Sequence, residues 1–495
     1  MEPVAVKDTA LVIAFESAPG TLDPRFGVDA YSSRVRSLLF SSLLELTADG
    51  NYRPYAAKSW NCDFEALQCR FDLQSGLTFH DGSHLDAYDV AATYAAILAP
   101  DSGSPKKAQL EGIERVEARD ALTVIFDLTH ASPTIPEAAT LGLLPSELAS
   151  QPRLAPDDIQ GSGPYRISEY ESEERIHLRA FSNYQRGAPH IDALEIRVVP
   201  DALMRAMELR HGTVDLVQNA IDPDTVEWLA ENAAELQVIR APSSNFQYLG
   251  MNFNHPALSD RRVRRAIAHA LDLDIIAEHL LGGAAQRASG LLPPQHWAYY
   301  GDVPRYDHDP ARAIALLDEA GYHDPDGDGP QPRLRLSYKT TTQELRRRIA
   351  EALAAQLGHI GIELDVRTYE WGTFFADIRS GNFDLYTLEW VGIVDPDIFR
   401  QVFHSAMMPP TGNNRGRYSD AEMDRLTQAG LTALDPSERR EIYARVQEHA
   451  ARELPYVSLW WPERVIVATK RLEEFTPHPG GTLLGLASAR LRAKK

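Results

Sequence analysis

The sequence predicts an α/β protein with two separate α/β units and a smaller, less regular α+β lobe, and three observations carry that prediction. From about 330 to 392 the pattern runs β-α-β-α-β, which builds a parallel sheet with right-handed crossovers. The same grammar recurs separately between Ile191 and Leu216. The stretch 45–160 is less regular, with hairpin signals and Asp-Gly or Pro turns, and reads as a smaller α+β lobe. A length of 495 residues is in keeping with two or three domains.

In chain order, Leu11-Val-Ile-Ala-Phe15 is an apolar run of strand length. Trp60 to Phe71 reads as two short strands with a turn near Glu65-Ala66. Ile191 to Val199 is a strand, Asp201 caps a helix carrying Leu203, Met204, Met207 and Leu209, Gly212 ends it, and Val214-Asp-Leu216 is the next strand. Asp260 opens a helix with the stripe Val263, Ala266, Ile267, Ala270 and Leu271. Asp309-Pro310 opens another, with Ile314, Leu317 and Ala320 inward and Gly321 beyond its end. Arg333 to Lys339 alternates as a strand, Leu345, Ile349, Leu353 and Leu357 mark a helix, and Gly358 sits where its C-terminal cap belongs. Ile362 to Val366 is a strand, Trp371 to Ser380 a short helix, and Phe383 to Leu388 a third strand.

The formal charge is −20, from 50 basic and 70 acidic residues. This opposes binding to nucleic acid or to an anionic membrane surface, and favours a soluble monomer. No apolar run approaches the roughly 20 residues that span a bilayer. The start, Met1-Glu2-Pro3-Val4-Ala5, lacks a basic and apolar export signal, so either the protein stays in the cytosol or its signal has been removed. The two cysteines, Cys62 and Cys69, lie on the two strands of a predicted hairpin, where opposed positions come within disulfide reach. An exported protein with one local disulfide is the favoured reading; two unpaired thiols are the alternative.

Ligands of open α/β sheets bind beyond the carboxyl ends of the strands. That rule selects Glu16 and Ser17 after the first strand, Gln218 and Asn219 after Val214-Leu216, Thr340 and Thr341 after the 333–339 strand, and Glu389, Trp390, Val391 and Gly392 after the last. Each has a plainer role open to it: Trp390 as core, Glu16 as a solvated charge, and Thr340 and Thr341 as caps of the following helix, the favoured role for those two. Two lobes facing one another would set these groups across a cleft that closes about a hinge.

Motifs for chemistry or metal do not hold up. His80-Asp81-Gly-Ser-His84, with Asp86 and Asp89 nearby, has ligand residue types, but the Asp-Gly turn breaks any shared face. Asp324-Pro-Asp-Gly-Asp-Gly329 opens like a calcium loop, but Arg335 stands where the bidentate Glu is required. There is no nucleophile elbow, zinc helix, phosphate loop or dinucleotide fingerprint, and Gly161-Ser-Gly-Pro164 lacks the strand-Ser-helix frame. No catalytic residue, metal or cofactor is therefore expected. A hydrolase acting on a peptide or sugar stays open as an alternative, since carboxylate pairs need not be close in sequence.

Segments spread through most of the chain resemble the bacterial solute-binding proteins of family 5, the dipeptide-, oligopeptide- and nickel-binding components of ABC importers. They include Thr21-Leu-Asp-Pro24, Leu43 to Gly50, Pro54 to Trp60, Leu77 to Val90, Gly161 to Tyr165 and Gly212 to Leu216. Leu249 to Asn252, Val263 to Ile267, Asp309 to Ala311 and Leu316 to Tyr322 continue the series. Each is weak alone; their order and spacing make the match specific. The resemblance implies a periplasmic binding protein-like fold (class II, cluster C). One discontinuous lobe would comprise 1–44, 162–245 and 470–495, a smaller lobe 45–161 would be inserted in it, and the other large lobe would be 246–469, with a hinge near 245 and 470. It also implies a periplasmic protein, lipid-anchored in some precursors, that captures a peptide or peptide-like solute and delivers it to the transmembrane subunits of an ABC permease. An opine, glycoside, siderophore or metal chelate is the alternative solute.

In that family an aspartate soon after a tryptophan at the last strand's mouth anchors a peptide's amino terminus. Here Trp390-Val-Gly-Ile-Val-Asp-Pro396 is one residue shorter, with Ile393 about where that aspartate stands and Asp395 before the proline. Asp395 or Glu16 is the candidate substitute. Downstream, Gly412-Asn-Asn-Arg-Gly-Arg-Tyr418 offers Asn414, Arg415 and Arg417 to a carboxylate or phosphate, or to surface salt bridges. The aromatics of Tyr456 to Trp461, near the proposed hinge, either line the cleft or pack in the core.

Overall fold

The structure, a computed structural model, describes residues 10–327, 329–410 and 412–493. The chain forms two compact units, one of Met1–Ala241 with Arg464–Lys495 and the other of Pro242–Glu463.

The first unit is built on a seven-stranded sheet in the order Leu236–Ala241, Arg464–Thr469, Leu216–Gln218, Ala10–Phe15, Ala193–Val198, Arg175–Ala180, Tyr165–Glu171. Ala10–Phe15 lies parallel to both neighbours, so those three strands end on the same edge. Alternation assigns the faces: Leu11, Ile13 and Phe15 enter one core and Val12 and Ala14 the other. Asp201 caps the helix Ala202–His211 by accepting the Met204 amide, and Gly212 ends it at φ 67°. The next strand begins two residues later than the sequence suggests, because Asp215 turns its carboxylate onto the Val12 amide.

Arg464–Thr469, placed by sequence in the 246–469 lobe, is instead an interior strand of this sheet, antiparallel to Leu216–Gln218 and to Leu236–Ala241. The unit boundaries accordingly fall after Ala241 and Glu463, not at 245 and 469.

Residues 45–161 belong to this unit and hold an antiparallel sheet of Ala57–Asp63, Gln68–Leu73, Thr123–Leu128 and Ile113–Asp120, with a core of its own. The helix Ala87–Leu98 packs on it; Asp86 and Asp89, weighed as metal ligands, form its capping box. Cys62 and Cys69 occupy opposed positions of the first hairpin and are disulfide-bonded. His80 is buried: its Nδ1 accepts the Gly161 amide and its Nε2 donates to the Gly163 carbonyl. Gly161 is required there because a Cβ would lie 1.9 Å from the Leu39 carbonyl oxygen. The Gly161-Ser-Gly163 motif is thus a close crossing of two chain segments.

The second unit carries a six-stranded sheet in the order Ala285–Arg287, Tyr456–Pro462, Phe246–Met251, Leu385–Trp390, Leu334–Thr341, Ile362–Tyr369. Leu334–Thr341 is parallel to both Ile362–Tyr369 and Leu385–Trp390, as the β-α-β-α-β pattern requires. One face packs on the helices Arg261–Ala270, Pro310–Glu319 and Glu344–Gly358 through an aliphatic core. The other face is aromatic and packs on Trp371–Ser380, Ile398–Phe403, Ala421–Thr432 and Pro436–Glu453.

Two local expectations are corrected here. Gly358 is the last helical residue, and the left-handed turn falls on Gly361 at φ 82°. Thr340 and Thr341 are buried strand residues; the helix N-cap position is Gln343, which makes no side-chain capping bond. Asp324 and Asp326 lie in an exposed turn, and Asp328 of the same motif falls outside the described residues.

Candidate functional site

In the first unit, Glu16 and Ser17 follow the Ala10–Phe15 strand and Asn219 follows Leu216–Gln218, so the sheet brings all three to one edge. Glu16 is exposed and accepts a hydrogen bond from the Tyr31 hydroxyl at 3.2 Å. Tyr31 in turn is stacked by Arg34, 5.0 Å from the ring centre. Burial and then the Glu16 charge push the Tyr31 pKa up. Asn219 ties two strands together. At φ 56° its backbone amide donates to the Val465 carbonyl and its side-chain oxygen accepts the Val465 amide. Gln218 is strand, buried, and donates to the Gly481 carbonyl.

In the second unit the sheet gathers a cluster that the sequence scattered. Trp390, the last residue of its strand, is half-buried and stacks parallel to Tyr248 at 6.1 Å between centroids. Tyr248 stacks on Tyr456 at 4.0 Å and meets Tyr386 edge-on at 5.9 Å. Over this group lies the guanidinium of Arg415, 4.6 Å from the Trp390 ring and 5.1 Å from Phe375. The loop reaches this position because Gly416 runs close to the Phe246–Met251 strand, its carbonyl accepting the Phe253 amide.

Arg415 is 9% exposed, and among the described residues no carboxylate lies within ion-pair distance of it. Its acceptors are the Tyr248 hydroxyl at 3.4 Å and the Asn413 side-chain oxygen at 3.3 Å, both long contacts. Two cation–π contacts return about 1–2 kcal/mol each. A buried unpaired ion loses several kcal/mol of solvation. Stacking therefore holds the side chain in place without satisfying it. The surrounding phenols supply no negative charge at neutral pH, since burial pushes Tyr248, Tyr386 and Tyr456 upward. The Tyr386 and Tyr456 hydroxyls and the Trp390 indole N–H are also buried without a hydrogen-bond partner of good geometry.

The other predicted residues of this unit support the scaffold. Gly392 takes φ 69°, which a side chain would strain, and its amide donates to Asn245, whose own amide donates to Glu389 at 2.6 Å. Ile393 is buried in the aromatic core. Asp395 is held bidentate by the buried Arg439 at 2.7 and 2.9 Å and is itself only slightly exposed, so it is no free anchor for an ammonium group. Burial opposes the Arg439 charge, but the Asp395 carboxylate outweighs it and raises the pKa above the ordinary arginine value. Asn414 is fully engaged by its own loop, donating to the Phe403, His404 and Tyr418 carbonyls and accepting the Tyr418 amide. Arg417, at φ 60°, donates to the Ser380 carbonyl and lies against Gly381. Of the predicted set, then, the structure brings Trp390 and Arg415 into contact and gives Asp395, Asn414 and Gly392 to the framework.

Sequence reasoning missed Tyr248, Tyr386 and Phe375, each inside a run that reads as ordinary core. Tyr456 stands in the same aromatic run as Trp460 and Trp461. The two tryptophans are core, donating their indole N–H groups to the Leu273 and Gly290 carbonyls.

Two open α/β sheets whose strand ends carry polar and aromatic groups define a ligand-binding protein rather than a structural one. The chain belongs to the bacterial extracellular solute-binding proteins, family 5, whose family model for the middle region matches residues 51–406. It is similar to the oligopeptide-binding protein AppA of Bacillus subtilis, 26% identical over 490 residues covering 95% of this chain and 89% of that protein. It is also similar to a probable di/tripeptide-binding protein of Pseudomonas aeruginosa, 28% identical over 90% of this chain and 88% of the relative. The solved structure of AppA from Bacillus subtilis with a nonapeptide superposes with a TM-score of 0.80, at 25% identity and covering 98% of this chain and 99% of that one. No described helix is long and apolar enough to cross a membrane.

Proposed function

We propose that this chain is the extracytoplasmic capture component of a bacterial ABC importer. It binds a peptide or peptide-like solute and hands it, unchanged, to the transmembrane subunits of a permease. The observation that carries this reading is the cluster at the mouth of the Leu385–Trp390 strand, where stacked aromatic rings surround buried polar groups that make no hydrogen bond of good geometry. Aromatic walls with a few placed polar groups are how small-ligand sites gain both affinity and orientation. The relatives' oligopeptide and di/tripeptide names support the solute class. The chain passes between its units at Ala241–Pro242 and Glu463–Arg464, and the reading puts the hinge at those two connections.

Native mass spectrometry of protein purified from a bacterial host tests this. The expected result is a co-purified population of intact small solutes that dissociates on partial unfolding. Conversion of an added peptide into products would sink the reading in favour of a hydrolase. On adding a bound solute, small-angle scattering is expected to show a smaller radius of gyration; an unchanged radius would remove the hinge.

A second reading, a solute without a free amino terminus, is favoured by one observation. Ile393 fills the expected anchor position and Asp395 is neutralised by Arg439. Peptides with acetylated amino termini are then expected to bind as tightly as unmodified ones. A large loss on acetylation would show that another carboxylate anchors the amine.

A further inference from the structure

Building on the solute-capture reading, we propose that Arg415 is the receptor for a carboxylate of the solute, so that the second unit recognises a negative charge. The other buried arginines set the standard. Arg25 and Arg439 hold carboxylates at 2.7 Å. Arg205, Arg264 and Arg464 donate to backbone carbonyls at 2.6–2.7 Å. Arg415 alone in this group has only contacts of 3.3 and 3.4 Å, to a side-chain amide and a phenol. Its charge has no counterpart among the described residues.

The geometry fits an incoming carboxylate. Trp390 and Phe375 hold the guanidinium by their ring faces, at 4.6 and 5.1 Å from the ring centres, and its N–H groups make only the two long contacts that a stronger acceptor would replace. A planar guanidinium offers a carboxylate two parallel hydrogen bonds in its own plane. The Trp390 N–H and the hydroxyls of Tyr386 and Tyr456, which make no hydrogen bond of good geometry, are further donors close by. A set of weakly engaged donors with a fixed positive charge selects an acceptor and repels an ammonium. This site is independent of the amino-terminal question, because neither Ile393 nor Asp395 takes part in it.

The carboxylate can come from a peptide's carboxyl terminus or from an acidic side chain, and three pools of short synthetic peptides separate the sources. One has neutral side chains and free carboxyl termini, the second is the same pool amidated, and the third is amidated but contains glutamate. Binding of each pool to the full chain is measured by native mass spectrometry and calorimetry, for the wild type and for Arg415→Met and Arg415→Lys.

The proposal expects the wild type to bind the first or third pool and to bind the amidated neutral pool about tenfold to a hundredfold more weakly. Arg415→Met is expected to abolish that preference, and Arg415→Lys to restore part of it. Equal binding of all three pools by the wild type overturns the proposal and leaves solute capture standing; this arm needs no variant and survives a misfolded mutant. An unchanged preference in a folded Arg415→Met, checked by circular dichroism, also overturns it. Failure of every pool to bind, with no co-purified solute, removes the solute-capture reading itself.

Discussion

His80 shows how a residue that resembles a metal ligand in sequence becomes a stability element in the fold. Burial pushes its pKa from 6.5 down to about 4. Between those values the unfolded chain binds a proton that the folded chain refuses, so stability is complete above about pH 6.5 and declines as the pH falls toward 4. The loss from this group is about 2 kcal/mol by pH 5. Urea unfolding at pH 7.5 and pH 5 is expected to show a smaller drop for His80→Gln than for the wild type, and equal drops would contradict the assignment. Asp395 and Arg439 make a second residue-scale case. Removing one partner strands a largely buried charge, so Arg439→Met is expected to cost about 2–4 kcal/mol, and Asp395→Asn with Arg439→Met to recover much of it. A double variant as unstable as Arg439→Met would show that packing, not charge, dominates there.

At the scale of elements, the ends of helices were legible and the ends of strands were not. Asp201, Asp260 and Asp309 cap as their sequence context requires, because a short carboxylate beside free amides has one good use. Strand ends lack such punctuation. The Leu334–Thr341 strand runs two residues past its predicted end because Thr340 and Thr341 stay buried in the sheet, where alternation gives no stop signal. The Leu385–Trp390 strand likewise takes in Glu389 and Trp390, so two residues assigned to a loop are held by a rigid ladder. The Cys62–Cys69 bridge also belongs to this scale. It closes a loop with a sequence separation of 7, worth about 2 kcal/mol on the chain-entropy account. Cys62→Ser with Cys69→Ser is expected to lower the unfolding free energy by about that amount. Thermal melts of oxidised and reduced wild type check it, and coincident melts would refute it.

For the whole molecule, the candidate site is a product of sheet order. Tyr248, Tyr386 and Tyr456 lie on three strands far apart in sequence that become neighbours only when Phe246–Met251 pairs with both Leu385–Trp390 and Tyr456–Pro462. Nothing local marks them, which is why Trp390 and Arg415 could be proposed from sequence and the phenols beneath them could not. The division into units carries its own prediction. Residues 242–463 form one uninterrupted segment with its own sheet and cores, so that segment alone is expected to unfold cooperatively in denaturant. A chain ending at Glu463 is expected to lose the first unit, because the strand between Leu236–Ala241 and Leu216–Gln218 is then missing. Retention of a native far-ultraviolet spectrum by that truncated chain would contradict the prediction.

The late position of Arg464–Thr469 also sets a timetable. A ribosome makes the neighbouring strands early and supplies the one that joins them only after all of residues 242–463. Until then the nascent first unit carries two open strand edges where pairing partners belong, exposed to proteases and chaperones. The first unit therefore completes its sheet only after the whole of the second has been made, so the order of folding is written into the order of the chain.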